Sequence, residues 1–260
     1  MGVHDTGTDV PGSGLVQIGN AGLRCRGPLD AGPDATVFLG GSETLGRFVA
    51  HPFPMLLNGV HGPTANFGVA HGGVDCLLGL VGELGDSLRG RCFIVQLPCA
   101  ANLTNSFFRV HPRRNDRLVA VTPALQRLFP EVDYSEFAFV RALLVALRDQ
   151  NRTRFGRVRE ELRATWLRRM RLLVARLPGE VHLLWLVGHG PLGAEPAMIT
   201  DEMVAALGRP FLRIVVDQAK LDTSGMIFAP QDIAAARHMP GPQQHREIAR
   251  VVAGWMGECR

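Results

Sequence analysis

The sequence predicts an α/β fold in which a mainly parallel sheet of five strands is covered by helices on both faces, a three-layer α/β/α arrangement. Three observations carry this expectation. Short apolar runs bounded by Gly, Pro or charge recur along the chain, as strands buried on both faces do. Longer stretches of helical periodicity lie between them. The two kinds of segment alternate, which is the order that builds parallel strands through helical crossovers.

Residues 1–34 are rich in Gly, Pro, Asp and Thr and read as an irregular arm, in which Leu15 to Ile18 is the one hint of order. A single domain is expected over 35–260, since 260 residues with 46% hydrophobic content suffice for one large core. It opens with a strand at Thr36 to Leu39 and a helix at about Thr44 to Leu57. A weaker strand at Thr64 to Phe67 precedes a helix at Val74 to Leu84 and the strongest strand, Cys92 to Leu97. A helical insertion follows at about 106–178, with helices from Glu136 to Leu147 and from Thr153 to Leu177. Strands at Val181 to Val187 and Phe211 to Val216 flank a helix at Ile199 to Leu207. The final helix opens at His245, followed by Ile248, Val252 and Trp255 at helical spacing.

Composition removes several classes of function. No cationic start leads into an apolar segment, and no stretch of about 18 apolar residues occurs, so neither export nor a membrane partner is expected. The cysteines Cys25, Cys76, Cys92, Cys99 and Cys259 form no CxxC pair and read as thiols of a reducing, cytoplasmic compartment. His and Asp lack paired ligand spacing, so no metal is expected, and the chemistry below needs no cofactor. Between Arg141 and Arg176 eleven arginines face three acids, without aromatic interleaving. That pattern reads as a solvated helix face, and a nucleic-acid partner is not expected.

Three segments carry chemistry. In TVFLGGSETLG, Thr36 to Gly46, an apolar run stops at Gly40 and Gly41 and delivers Ser42 to the start of a helix. A hydroxyl there sits at the carboxyl edge of the sheet, beside backbone N–H groups that would stabilise an oxyanion. An ordinary helix cap has the same appearance. So does part of a phosphate loop, because Gly41 to Arg47 reads G-x-x-x-x-G-R; a true phosphate loop has Lys and then Ser or Thr where Arg47 and Phe48 stand. In NFGVAHGG, Asn66 to Gly73, the N–H groups of Gly72 and Gly73 can approach a substrate oxygen and His71 lines the mouth with Gly41. In CAANLTN, Cys99 to Asn105, Asn102 offers an amide after the strongest strand.

Gly-x-Ser, then NFGxxxGG, then an Asn about sixty residues past the serine resembles the SGNH hydrolase superfamily, its acetylhydrolase members in particular. The resemblance covers residues 36–105 and a short C-terminal segment. The whole chain, FFRVHPRRNDR included, also resembles an uncharacterised family of alphaproteobacterial proteins. The superfamily resemblance implies a flavodoxin-like sandwich with Ser42 as nucleophile, Gly73 or Gly72 as an oxyanion N–H and Asn102 as side-chain donor. Gly40-Gly41-Ser42 stands where Gly-Asp-Ser is usual, and the literal GDSL at Gly85 to Leu88 precedes a strand instead of following one. The superfamily's Asp-x-x-His has no counterpart near the C-terminus. His238 and His245 compete for the role of base, with Asp232 or Asp222 as orienting acids, since Ala235 and Pro242 occupy the positions three residues earlier.

Arg109, His111, Arg113 and Arg114 follow the Asn102 loop and would grip an anionic group of the substrate. Alternatively, this cluster pairs with Asp116, Glu131 and Asp133 to fix a loop. The resulting expectation is a serine esterase or acyltransferase acting on a small acyl ester of a sugar or polar metabolite. Its rivals are a sulfuryl or phosphoryl transferase with an anion-binding glycine loop, and a binding protein on a decayed hydrolase scaffold.

Overall fold

Alternation of apolar and polar side chains makes a hairpin of the segment predicted to be an irregular arm. β1 (Val16–Ile18) pairs antiparallel with β2 (Leu23–Cys25), and Ile18, Leu23 and Cys25 are buried. The computed structural model describes residues 14–19, 22–30, 32–90, 92–217 and 221–258, so residues 1–13, 20, 21 and 31 of that arm and Cys259 lie outside it. Directly after β2, the Arg26 guanidinium donates to the carbonyls of Leu45 (2.8 Å), Gly46 (3.0 Å) and Val49 (2.7 Å). The described residues between 14 and 34 are therefore part of the domain, tied to the turn that follows the first sheet strand.

β3 (Thr36–Gly40) is buried throughout. The helix expected over Thr44 to Leu57 is instead two single turns, α1 (Ser42–Leu45) and α2 (Phe53–Leu56). Gly46 ends α1 in the left-handed region (φ 68°), and Pro52 precedes a fresh helical start that no preceding N–H bond could have continued. β4 (Thr64–Gly68), α3 (Val74–Leu84) and β5 (Cys92–Gln96) follow where the apolar runs place them. The GDSL residues form a 3-10 turn, Gly85–Ser87, leading into the amino end of β5 and away from the carboxyl edge.

The insertion predicted as helical opens with a β-hairpin, β6 (Phe108–Val110) against β7 (Leu118–Val121). Its helices are α4 (Pro123–Leu128), α5 (Val140–Gln150) and α6 (Arg152–Arg176). β8 (Glu180–Gly190) turns back through β9 (Gly193–Glu195), and α7 (Asp201–Ala205), β10 (Phe211–Val215), α8 (Ile233–Ala236) and α9 (Pro242–Glu258) complete the chain.

The central sheet runs β10-β8-β5-β3-β4, all parallel, with β9 antiparallel on β8. The first of these strands, β3, thus lies between the second and the third. The connections that leave β3 and β5 run in opposite directions across the sheet, and such a switch point is where ligands bind open parallel sheets, here at the carboxyl ends of β3 and β5. Period-two alternation then divides the strands between two cores. Val37, Leu39, Phe93, Val95 and Leu183 face Leu77 and Leu80 of α3, Leu143 of α5 and Trp166 and Met170 of α6. Phe38, Ile94, Leu184 and Leu186 face Phe53 of α2 and Ile248 and Val252 of α9. Each such side chain contributes about 1.5–3 kcal/mol by leaving water. Trp166 also donates its indole N–H to the Pro98 carbonyl at 2.8 Å, fastening α6 to the turn after β5. Among the described residues no helix is long and apolar enough to cross a membrane.

Candidate active site

The carboxyl ends of β3, β4 and β5 meet at one polar clamp. Gln96, the last residue of β5, accepts from the N–H groups of Gly41 and Thr44 (both 3.2 Å) and from the Thr44 hydroxyl, while its own amide donates to Glu43 (2.9 Å). Asn66 of β4 donates to the Thr44 carbonyl (2.8 Å) and accepts from the Gly68 N–H (2.9 Å). The fit is tight enough that a Cβ on Gly68 would overlap the Leu45 backbone nitrogen. These contacts fix the GGSE turn and leave Ser42 half-buried at the first position of α1.

The loop after β4 closes over the serine. The His71 N–H donates to Ser42 Oγ at 2.9 Å, and His71 takes the left-handed conformation (φ 57°) to do so. The His71 ring lies between two groups of opposite charge. Its Nδ1 is 3.3 Å from Asp116 Oδ2, and its Nε2 is 2.9 Å from Arg47 Nη1. A guanidinium can only donate, so Nε2 carries the lone pair and Nδ1 the proton, which points at Asp116. Arg47 in turn pairs with Asp232 at 3.0 Å. Burial lowers the His71 pKa; Asp116 opposes the shift, and Arg47, Arg114 and Arg117 reinforce it. The result is a neutral imidazole held by a carboxylate with a basic nitrogen on its other side.

The predicted oxyanion donors are gathered here, but two of them are already engaged. The Gly73 N–H donates to Asn115 Oδ1 at 2.9 Å, and the Gly72 N–H donates to the Val69 carbonyl at 3.0 Å. Asn115, fully buried, also accepts from Cys76 N–H (3.0 Å) and donates to the His111 carbonyl (2.9 Å), so it caps α3 and anchors the β6–β7 loop in one residue. A Cβ on Gly73 would strike the Asn102 carbonyl, which places Asn102 next to the glycines as expected; one on Gly41 would lie 3.4 Å from the Gly72 carbonyl. Among the described residues the Ser42 N–H meets no backbone acceptor. The amides of Ala101 and Asn102 face the Cys99 thiol, which burial pushes up to about 11, so this cysteine is a neutral thiol. Nearby, Glu195 pairs with Arg141 at 2.8 Å, and burial raises its carboxyl above the usual range.

Both histidines proposed as bases lie elsewhere. His245 is 1% exposed within α9, its Nδ1 accepting the Phe53 N–H at 3.1 Å and its ring stacked on Phe53. It caps α2 from the core and does not reach the serine. His238 is exposed in the turn after α8. Of the orienting acids considered for them, Asp232 serves Arg47 and Asp222 accepts from Ser224 N–H at 2.7 Å.

The arginine cluster divides. Alternation in β6 buries Phe108 and Val110 and turns Arg109 outward, and Arg113 is exposed as well. His111 closes the loop by accepting from Arg113 and Arg114 N–H groups (3.3 and 3.2 Å). Arg114 alone of the four approaches the site, with its Nε 4.0 Å from Asp116. Of the acids considered as partners, Glu131 pairs with Arg154 and Asp133 accepts from Ser135. Gln96, Asn115 and Asp116 are the site residues that spacing did not reveal as such. Asn115 and Asp116 lie just before the last residue, Arg117, of the FFRVHPRRNDR stretch, whose arginines pointed to anion binding.

Over residues 1–260 the chain matches the model of a family described as a domain of unknown function, DUF6473. No curated protein matches it.

Proposed function

We propose that this chain, which belongs to the DUF6473 family, is a serine esterase or acyltransferase built on a three-layer SGNH-like α/β/α scaffold, with a small acyl ester of a sugar or polar metabolite as substrate. Ser42 is the nucleophile, and His71, held by Asp116, is the base in place of a C-terminal histidine. The observation that carries this reading is the 2.9 Å bond from His71 N–H to Ser42 Oγ. It places a carboxylate-oriented imidazole on the residue that touches the hydroxyl, at the switch point where open parallel sheets bind ligands.

In this mechanism Arg47 turns from His71 Nε2 toward a polar or anionic group of the substrate, and the freed nitrogen takes the Ser42 proton as the oxygen attacks the acyl carbon. Asp116 stabilises the imidazolium. The Ser42 N–H and the Asn102 side-chain amide hold the oxyanion until the alkoxide leaves with the proton from His71. Water or a second alcohol then attacks the acyl-serine by the same route in reverse. Two features support a second reading, a binding protein on a hydrolase-like scaffold: Asn115 holds the Gly73 N–H and Val69 holds that of Gly72. The transferase rival loses ground because Arg47 faces His71 and Asp232.

A fluorophosphonate probe followed by peptide mass spectrometry separates these readings. Labelling is expected at Ser42, absent in Ser42→Ala, and slowed by about 10²–10⁴-fold in His71→Asn, a variant whose short amide tolerates the left-handed backbone. A folded wild-type protein that takes no label would leave the binding reading in its place.

A further inference from the structure

The arginines of α6 do not all serve a solvated face. Arg152, Arg159 and Arg163 recur at spacings of seven and four residues, which puts them on one flank of the helix with Phe155. Arg148, from the last turn of α5, joins them. Facing this flank is the segment that returns from β8 through β9, contributing Leu192, Ala194, Met198 and Ile199. Between the two walls lies a cavity of about 380 Å³.

Two of the four guanidinia brace the walls. Arg163 Nε donates to the Met198 carbonyl at 3.0 Å, and Arg148 is bonded to Asp149 and the Pro191 carbonyl. Among the described residues Arg152 and Arg159 make no hydrogen bond and no close salt bridge, and both are exposed on the cavity side of the helix, with Asp149 within electrostatic reach of Arg152 and Glu202 within that of Arg163. Guanidinium groups stay protonated at any working pH, so this crowding of like charge cannot be relieved by losing a proton. Consistent with it, burial and then Arg159 push the Arg163 pKa below its ordinary value. An anion relieves the repulsion, and a cleft with apolar walls focuses the field upon it. Met198 adds a local strain, since it takes φ 68° in the wall that Arg163 holds.

The geometry points to a binding site for a small phosphate monoester, whose phosphate is gripped by Arg152 and Arg159 and whose apolar body lies on Leu192 and Met198. Two forked guanidinia match phosphate oxygens bidentately. The volume falls within the range of small-molecule sites and is closed on one side by the β8–β9 turn. A nucleic-acid strand is the poorer occupant, because the one aromatic ring lining the cavity, Phe155, is 6% exposed and offers no stacking platform. This inference is independent of the reading of Ser42. The wall it uses carries Glu195 next to Ala194, so the segment that closes the cavity also pairs with Arg141 beside the candidate active site.

Isothermal titration of the full chain with phenyl phosphate and with inorganic phosphate tests it. Phenyl phosphate is expected to bind more tightly than inorganic phosphate, and Arg152→Ala/Arg159→Ala to weaken it by about tenfold or more. The charge-matched Arg157→Ala/Arg176→Ala variant, altered at exposed positions outside the cavity, keeps wild-type affinity. Absence of phenyl phosphate binding to the wild type would overturn the proposal, as would equal weakening in the two double variants. A single-stranded oligonucleotide that binds through Arg152 and Arg159 when phenyl phosphate does not would replace the small molecule by a polymer.

Discussion

His245 sets a pH dependence of stability that can be worked out from its surroundings. The imidazole is 1% exposed, stacked on Phe53 with ring centroids 5.9 Å apart, and its Nδ1 accepts the first N–H of α2. Protonation would bury a charge and turn that acceptor into a second donor facing a donor. Burial, reinforced by Arg26, accordingly lowers its pKa from 6.5 to about 4. Between those values the unfolded chain binds a proton that the folded chain does not. The stabilisation is therefore complete above about pH 6.5 and is lost as pH falls toward about 4. The gap corresponds to about 3 kcal/mol, a large share of the roughly 5–15 kcal/mol that holds a domain together. Urea denaturation of the wild type and of His245→Asn, at about pH 7.5 and about pH 4, isolates this contribution. Asn retains an acceptor for the Phe53 N–H and does not titrate. The variant starts less stable because it loses the ring stack, but its stability should drop by about 3 kcal/mol less than the wild type's over the same interval. Identical drops in the two proteins would refute the argument that His245 is held neutral by burial.

Three further outcomes follow from the same contacts. Asn115→Leu leaves the N–H groups of Gly73 and Cys76 and the His111 carbonyl without their partner; a loss of about 3–5 kcal/mol is expected from chemical denaturation. Gly68→Ala forces a methyl into the Leu45 backbone nitrogen and should cost more than about 3 kcal/mol or abolish folding, read from the thermal midpoint. Asp116→Asn keeps the shape beside His71 but removes the charge, and should slow fluorophosphonate labelling of Ser42 by at least about tenfold without lowering the melting temperature by more than a few degrees.

Periodicity located each parallel strand because strand burial is written in local composition: Phe93, Ile94 and Val95 are apolar in succession since both faces of β5 are covered. The same logic placed α3 at Val74–Leu84 and α6 within a residue of its observed limits. It failed between Thr44 and Leu57, where apolar residues recur at helical spacing but Gly46 and Pro52 break the backbone. It also failed in the insertion, where the short strands β6 and β7 are stabilised by pairing with each other across the His111 to Arg117 loop.

At the site, the order of GGS, HGG and Asn102 along the chain was enough to bring Ser42, His71, Gly73 and Asn102 to one edge, because parallel strands with helical crossovers deliver all their carboxyl ends to the same side. Which groups those residues contact there is a long-range matter. Asn115 and Asp116 arrive on a hairpin more than forty residues beyond His71, taking up the Gly73 N–H and the His71 ring. His245 lies in the first turn of the last helix, which opens at Pro242, three residues before the start its sequence neighbours imply, and α9 packs that turn against Phe53 and sinks the imidazole into the core. The sequence by itself determined the five parallel strands, their direction and the edge where polar groups collect, since these follow from local patterns of apolarity. Only the tertiary structure decided which histidine meets Ser42 and which acid holds it, because a hydrogen bond depends on distances that chain spacing does not encode.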